Sequence, residues 1–203
     1  MKTLIEGFKK FQSEVFQEKQ TLFARLSYGQ NPRALFITCS DSRIDPTLLT
    51  QTDPGELFIL RNAGNIVPSY GMVAGGSTAT IEYAVAVLGV QHVIVCGHTD
   101  CGVMRAILQP DQLKGLPAVK EWLLQAEATR RIVMENYPHL PESELLVVTT
   151  QENVRIQLDH LRTHPAVAAR LRRGALQLHG WVYSISTGEM WTYDLAGDKF
   201  VPL

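Results

Sequence analysis

The stretch His92-Val-Ile-Val-Cys96 decides the fold, because it is short, almost wholly apolar and followed at once by the turn residues Gly97-His98-Thr99-Asp100. Two similar runs precede it, Ala34-Leu-Phe-Ile-Thr-Cys39 and Leu57-Phe-Ile-Leu60. Such near-continuous hydrophobicity is typical of strands that are covered on both faces, as in parallel sheets. The three runs therefore predict three neighbouring parallel strands.

A helical pattern separates the second and third runs. Residues 77–88 place apolar side chains at positions 79, 81, 84, 85 and 88, which is the spacing of one helix face. A strand, a helix and a second strand in this order form a βαβ unit with a right-handed crossover. We therefore expect an α/β fold, with a mainly parallel β-sheet and helices on both faces.

The remaining elements are helices followed by an edge hairpin. Residues 117–134 and 152–161 have helical patterns. Residues 145–150 favour a strand by their β-branched side chains and a helix by their flanks, and we interpret them as helix. Residues 176–186 and 189–193 predict a terminal hairpin at a sheet edge. No repeat or linker divides the chain, so we expect a single domain over residues 1–203.

The opening residues predict an amphipathic helix. Apolar side chains recur at helical spacing, and lysines and glutamates occupy the other positions. This apolar stripe either packs on the core of its own chain or binds a second subunit. It consists of Leu4, Ile5, Phe8, Phe11, Val15 and Phe16.

The composition is that of an ordinary globular protein, since 45% of the 203 residues are hydrophobic and 19% are charged. The net charge of −1 provides no positive field for phosphates, so we expect neither nucleic acid nor an anionic membrane as a partner. No apolar run spans a bilayer, and charges stand where a secretory signal would be apolar. Three cysteines, an odd number, favour a reducing compartment and predict a cytoplasmic location.

Reactive side chains follow the first and third runs. Cys39 ends the first run, and His98 and Cys101 follow the third. Because ligands bind beyond the carboxyl ends of the strands in an open α/β sheet, we expect these three side chains to converge. Two thiolates and an imidazole suit zinc, and three protein ligands with an open position are typical of catalytic zinc sites. Cys96 is a rival ligand, although its place within an apolar strand favours a buried core thiol.

Asp41 and Arg43 stand two residues apart, directly after Cys39. A carboxylate held by an arginine fork keeps a fixed direction in which it can orient a zinc-bound hydroxide towards an electrophile. The simpler alternatives are an N-cap before a helix that begins at Pro46 and a surface ion pair of little energetic consequence.

Three motifs together resemble the signature of the β-class carbonic anhydrases, and the bacterial and cyanobacterial members most closely. They are Cys39-Ser-Asp-Ser-Arg43, Arg61-Asn-Ala-Gly-Asn65 and Gly97-His-Thr-Asp-Cys-Gly102. The likeness extends over nearly the whole chain, from the first helix to the last residues. The resemblance implies a zinc lyase that hydrates carbon dioxide reversibly to bicarbonate and a proton.

The resemblance also implies a role for each residue of the site. One zinc ion per subunit would be held by Cys39, His98 and Cys101. Asp41 and Arg43 would form the catalytic dyad that orients a zinc-bound hydroxide for attack on carbon dioxide.

A substrate pocket of the plant-like, open type is implied as well. Members whose aspartate closes the zinc site carry a tryptophan three residues before the first cysteine, and here that position is Phe36. The residues expected to bind substrate are Gln30, Phe58, Ala63, Tyr83 and Gly102.

The family's smallest unit is a dimer in which the N-terminal helix, here residues 1–25, wraps the partner subunit. We therefore expect a homodimer or a higher homo-oligomer such as a tetramer, and binding of a second subunit becomes the favoured interpretation of the apolar stripe. The resemblance leaves open whether the protein is free in the cytoplasm or lies within a carboxysome.

Two other functions are compatible with the same motifs. One is a carbon disulfide or carbonyl sulfide hydrolase, which would share the scaffold and the ligand set and differ mainly in access to the site. The other is a non-catalytic, zinc-bearing assembly protein, for which the loss of a ligand or of the Asp/Arg pair would be expected. All five residues are present in this chain.

Overall fold

The structure is a computed structural model that describes residues 1–72 and 75–203. The chain separates into two compact units, Met1–Asn31 and Pro32–Leu203. The expected single domain over residues 1–203 stays a prediction. Within the described ranges, no helix has the length and hydropathy of a membrane span.

The N-terminal unit is helical, as the apolar stripe predicts. It consists of α1 (Lys2–Lys10), α2 (Phe16–Glu18) and α3 (Gln20–Leu26), and a π-helical segment, Phe11–Val15, joins α1 to α2. The predicted helix is therefore confirmed over the apolar stripe, with a widened turn in its middle. Residues 1–25 do not form one continuous helix, because a turn at Lys19 separates α2 from α3.

Aromatic side chains of this unit pack on one another. The ring centroids of Phe16 and Phe23 lie 5.2 Å apart, and Phe11 contacts Phe23 edge-on at 5.9 Å. Within residues 1–31, all of which the structure describes, no residue is buried. Leu4 and Phe8 of the predicted stripe remain exposed.

The second unit is built on one six-stranded sheet. Its strands are β1 (Ala34–Cys39), β2 (Leu57–Asn62), β3 (His92–His98), β4 (Gln177–Tyr183), β5 (Met190–Asp194) and β6 (Lys199–Pro202). They lie in the order β2-β1-β3-β4-β5-β6, with the first four parallel and the last two antiparallel. The predicted, mainly parallel sheet is confirmed, and the predicted hairpin corresponds to β4 and β5. Strand β6 has no counterpart in the prediction.

Helices connect the strands and follow them in the chain. They are α4 (Pro46–Thr50), α5 (Gly76–Glu82), α6 (Gly102–Leu108), α7 (Pro117–Leu123), α8 (Glu127–Asn136), α9 (Glu142–Thr163) and α10 (Pro165–Arg172). A π-helical segment, Tyr83–Val87, extends α5 and completes the predicted helix before β3. Residues 145–150 lie inside α9, so their interpretation as helix is confirmed. Burial of Leu146, Thr149 and Thr150 at helical spacing explains why helix prevails there.

The prediction of one continuous helix over residues 117–134 is wrong, because a 3₁₀ turn, Leu124–Ala126, separates α7 from α8. The buried residues Leu123, Ala126 and Thr129 follow one another at intervals of three. A 3₁₀ turn has three residues per turn and therefore keeps such positions on one face. Burial at this spacing explains the break.

Close packing of α9 on β3 and β4 depends on two glycines. A Cβ atom placed on Gly97 would lie 2.9 Å from Cγ2 of Thr150, and one on Gly180 would lie 2.8 Å from Cγ1 of Val154. Real Cβ atoms do not approach so closely, so a side chain at either position would push the helix off the sheet.

The strand order changes direction between β1 and β3. The chain passes from β1 to β2 on one side of β1 and then returns to β3 on the other side. At such a switch point the loops that follow the two strands diverge and leave a crevice at their carboxyl ends. Cys39 ends β1 and His98 ends β3, so the fold places both residues at this crevice.

Candidate metal centre

Two thiols and an imidazole meet at the switch point. The Sγ atoms of Cys39 and Cys101 lie 3.9 Å apart. One ligand atom from each of Cys39, His98 and Cys101 lies within 4.8 Å of the others, and all three residues are buried. The convergence that we expect from the sequence is therefore present.

The chain geometry after β3 brings Cys101 back towards His98. Asp100 adopts a left-handed conformation with φ of 56°, and Cys101 is the N-cap of α6. The chain therefore reverses direction within the two residues, Thr99 and Asp100, that separate the imidazole from the second thiol.

The donor set fits a tetrahedral zinc ion. Nδ1 of His98 lies 2.9 Å from the carbonyl oxygen of Thr99, to which it donates as the protonated ring nitrogen. Nε2 of the same ring is buried and has no hydrogen-bond partner among the residues that the structure describes, which leaves its lone pair for a metal. Two sulfurs bound to one tetrahedral zinc at about 2.3 Å stand about 3.8 Å apart, close to the separation of the Cys39 and Cys101 sulfurs.

Cys96 is not part of this cluster. Its side chain is fully buried within β3, and its Sγ donates to the carbonyl oxygen of Gly97 at 3.4 Å. Burial raises the pKa of the Cys96 thiol to about 12. The sequence-based interpretation of Cys96 as a core thiol agrees with this position.

The environment of Cys39 favours its thiolate. The pKa of Cys39 lies below its ordinary value, chiefly because the thiol of Cys101 donates to its sulfur, and the backbone N–H of Gly64 adds a further hydrogen bond. The Gly64 nitrogen lies 3.4 Å from Cys39 Sγ. A thiolate is the form that binds a metal.

Asp41 and Arg43 form a two-pronged ion pair beside the cluster. Oδ1 of Asp41 accepts from Nε of Arg43 at 2.9 Å, and Oδ2 accepts from Nη2 at 2.7 Å. These hydrogen bonds hold the pKa of Asp41 well below its usual range. Oδ2 also lies 3.8 Å from Nε2 of His98, so the carboxylate borders the position that a metal would take.

A second arginine, Arg61, holds the chain between the cluster and the ion pair. Its guanidinium donates to the carbonyl oxygens of Cys39 at 3.1 Å and Asp41 at 2.7 Å. Arg61 stands in the second of the three sequence motifs, but no role is predicted for it there. The sequence signal for this role is that Arg61 directly follows the apolar run of β2, the strand that pairs with β1.

The expected N-cap function belongs to a neighbour of the ion pair. Asp45, not Asp41, caps α4, and its Oδ1 accepts from the backbone nitrogens of Thr47 at 3.0 Å and Leu48 at 3.1 Å. The carboxylate of Asp41 is therefore not engaged in capping that helix.

The expected substrate residues fall into separate places. Ala63 precedes Gly64, which contacts Cys39, and Gly102 is the first residue of α6 after Cys101. Phe58 and Tyr83 pack together with ring centroids 6.1 Å apart.

Phe58 lies away from the cluster within its own chain. The register pairs Cys39 with Asn62 and Leu35 with Phe58, so Phe58 lies about 13 Å along β2 from the end that holds the cluster. Gln30 belongs to the N-terminal unit, in the loop after α3. The roles of these residues in binding substrate stay predictions.

A mainly parallel sheet with two thiols and an imidazole at its switch point defines an α/β protein with a group that could hold a metal ion. The family model described as carbonic anhydrase matches residues 34–190. The chain is 51% identical to the carbonic anhydrase of Pseudomonas aeruginosa, over 100% of this chain and 92% of that protein. Its fold superposes on the β-carbonic anhydrase CcaA with a TM-score of 0.98 and 49% identity, covering 100% and 99% of the two chains. The chain belongs to the β-class carbonic anhydrases, a family of enzymes.

Other relatives agree with this assignment. The carbonic anhydrase of Synechocystis sp. is 50% identical over 99% of this chain and 74% of its own length. A β-carbonic anhydrase of the ascomycete Sordaria macrospora, described as tetrameric, has a TM-score of 0.85 and 29% identity, with 94% of each chain covered.

Proposed function

We propose that this protein catalyses the reversible hydration of carbon dioxide to bicarbonate and a proton, with one zinc ion held by Cys39, His98 and Cys101. The observation that carries the proposal is the buried Cys-His-Cys cluster with the Asp41–Arg43 ion pair beside it. Membership of the family supports the same reaction.

Zinc, when bound, supplies a Lewis acid that makes hydroxide available from water near neutral pH. Asp41 is the residue of this chain that orients the attacking oxygen. Its Oδ2 lies 3.8 Å from Nε2 of His98, beside the metal position, and would accept a hydrogen bond from the attacking O–H. Arg43 fixes the direction of that acceptor, because its Nε and Nη2 both donate hydrogen bonds to the Asp41 carboxylate.

Carbon dioxide is small, uncharged and apolar, so its binding depends on shape and on the exclusion of water. Ala63 and Gly102 are next in sequence to Gly64 and Cys101, and a Cβ atom placed on Gly102 would meet nothing within 4 Å, which is space that so small a molecule could use. Backbone N–H groups near Gly102, at the start of α6, would stabilise the negative charge that develops on the substrate oxygens.

We propose that the protein acts as a homo-oligomer. Phe58 lies too far along β2 to line the site of its own chain, and Tyr83 packs beside it, so a second copy would be needed to bring the two rings to a site. Exposed Leu4 and Phe8 provide the apolar face for contact with that copy. A dimer or tetramer built in this way would contain substrate clefts to which two subunits contribute.

Stopped-flow measurement of carbon dioxide hydration tests the proposal directly. The zinc-loaded protein is expected to accelerate hydration, the chelated protein to lose the activity, and added zinc to restore it. Cys101→Ala is expected to lose both metal and activity, whereas its matched control Cys96→Ala is expected to retain both, because Cys96 lies outside the cluster.

The same preparation is assayed with carbonyl sulfide and carbon disulfide. Hydrolysis of these compounds without hydration of carbon dioxide would overturn the proposal in favour of the hydrolase. Zinc binding without any turnover would indicate an assembly protein.

A further inference from the structure

Two side chains from different helices hold successive carbonyl groups of the loop beside the cluster. Nε1 of Trp122, on α7, donates to the carbonyl oxygen of Ala63 at 2.8 Å. Nδ2 of Asn153, on α9, donates to the carbonyl oxygen of Gly64 at 3.0 Å. Asn153 is completely buried, so its hydrogen bonds are sheltered from competing water.

The peptide group between Ala63 and Gly64 connects Trp122 to the cluster. In a planar trans peptide, the C=O and N–H groups point in opposite directions. Trp122 binds the carbonyl of this peptide, and its N–H contacts Cys39 Sγ at 3.4 Å. Fixing the carbonyl on one side therefore fixes the direction of the N–H on the other.

The conformation of this loop requires glycine at position 64. Gly64 has φ of 81°, and a Cβ atom there would lie 2.6 Å from Cγ1 of Val103, on α6. The peptide therefore approaches α6 more closely than a residue with a side chain would allow.

Asn153 is itself fixed by a buried amide chain. Its Oδ1 accepts from Nε2 of Gln157 at 2.9 Å, and Oε1 of Gln157 accepts from the backbone nitrogen of Val67 at 2.8 Å. Both amide side chains are completely buried. The loop is therefore held from α9 at both Gly64 and Val67.

We propose that Trp122 and Asn153 are positioning residues that direct the Gly64 N–H at the Cys39 sulfur and thereby limit how much charge this thiolate donates to the metal. The inference rests on the proposed function only in that Cys39 is a metal ligand. Two thiolates neutralise the formal charge of a zinc ion and weaken it as a Lewis acid. A hydrogen bond to one sulfur withdraws part of that donated charge, as hydrogen bonds to metal ligands do in other sites.

Cobalt substitution provides a readout that does not depend on activity. The thiolate-to-cobalt charge-transfer band reports the energy of the sulfur lone pairs, and loss of the N–H···S hydrogen bond raises that energy. In Trp122→Phe, which retains an aromatic ring but has no N–H donor, the band is expected to move to lower energy. Asn153→Ala is expected to move the band in the same direction, and the affinity for cobalt is expected to fall about 10-fold in each variant.

Leu123→Ala is the matched control, because Leu123 is the buried neighbour of Trp122 on α7 and has no hydrogen bond to the loop through its side chain. Its band is expected to stay at the wild-type energy even if the protein is less stable. If Asn153→Ala does not fold, Trp122→Phe alone decides the question.

Unchanged band energy and cobalt affinity in Trp122→Phe would overturn the inference, as would an equal band shift in Leu123→Ala. Failure of the proposed function is distinguishable from these results. It would appear as a wild-type protein with thiolate-to-cobalt bands and no hydration of carbon dioxide, and the band shifts would still be expected there.

Discussion

Replacement of Asp41 by asparagine removes the acceptor at the metal position, together with the charge of the Arg43 ion pair and the hydrogen bond from Nη2. Oδ1 of Asp41 accepts two hydrogen bonds from Arg43, from the backbone nitrogen at 3.0 Å and from Nε at 2.9 Å, and Oδ2 accepts one from Nη2 at 2.7 Å. Because Oδ1 accepts two of these hydrogen bonds and Oδ2 only one, an asparagine keeps more of them when its side-chain oxygen takes the place of Oδ1. Its NH₂ group then replaces Oδ2, the oxygen that lies 3.8 Å from His98 Nε2.

The expected effect on catalysis is large because an acceptor becomes a donor at the position from which the attacking oxygen is oriented. Loss of a positioned proton acceptor typically costs about 100- to 10,000-fold in rate, and we expect kcat/KM of Asp41→Asn to fall within that range. Zinc content is expected to remain at one ion per chain, since Asp41 is not among the three proposed ligands. Stopped-flow hydration and elemental analysis of the same sample measure both quantities.

Asp100→Asn is the control for this experiment. Asp100 also pairs with Arg43, at 3.3 Å, but its side chain is 62% exposed, and exposed ion pairs contribute little. We expect its kcat/KM to stay within about fivefold of wild type. Equal activities of Asp41→Asn and wild type would refute the role of Asp41, and equal losses in both variants would show that charge near Arg43 matters and the acceptor position does not.

Three further predictions concern stability, measured by urea unfolding. Gly180→Ala is expected to lower the free energy of unfolding by about 1–3 kcal/mol, because its Cβ would collide with Val154. In the double variant with Val154→Ala, part of that loss is expected to be relieved, and losses that simply add would contradict the packing argument. Asp45→Ala is expected to lower the free energy of unfolding by about 1 kcal/mol, and Asp45→Asn, which can still cap α4, by less. An unchanged free energy of unfolding in Asp45→Ala would contradict the capping role. Burial and the neighbouring His92 lower the pKa of His179 from 6.5, so the folded state favours the neutral ring. Its contribution to the free energy of unfolding is therefore complete above about pH 6.5 and declines as the pH falls below that value. His179→Gln is expected to show a weaker decline, and an identical pH profile would contradict this assignment.

The sequence predicts the centre of the fold because the relevant signals are local and strong. The runs that end at Cys39 and Cys96 become β1 and most of β3, since continuous apolar runs are stable only where both faces are covered. Residue chemistry then identifies the cluster, because two thiols and an imidazole that follow neighbouring parallel strands form a ligand set that suits zinc.

The residues that support the site are not predictable in the same way. Trp122 and Asn153 lie about 60 and 90 residues from the loop that they hold, and nothing in their local sequence distinguishes a hydrogen-bond donor to that loop from an ordinary core residue. The break between α7 and α8 has the same cause, since it follows from which faces are buried and not from a proline or glycine. The distance of Phe58 from the cluster follows from strand register, which single runs do not specify.

X-ray absorption at the zinc edge of the purified protein tests the proposed metal centre most directly. Ligation by Cys39, His98 and Cys101 predicts one zinc per chain with two sulfur neighbours at about 2.3 Å and nitrogen or oxygen neighbours at about 2.0–2.2 Å. A zinc ion with no sulfur neighbours, or with four, would contradict the proposed centre, as would folded protein that binds no zinc.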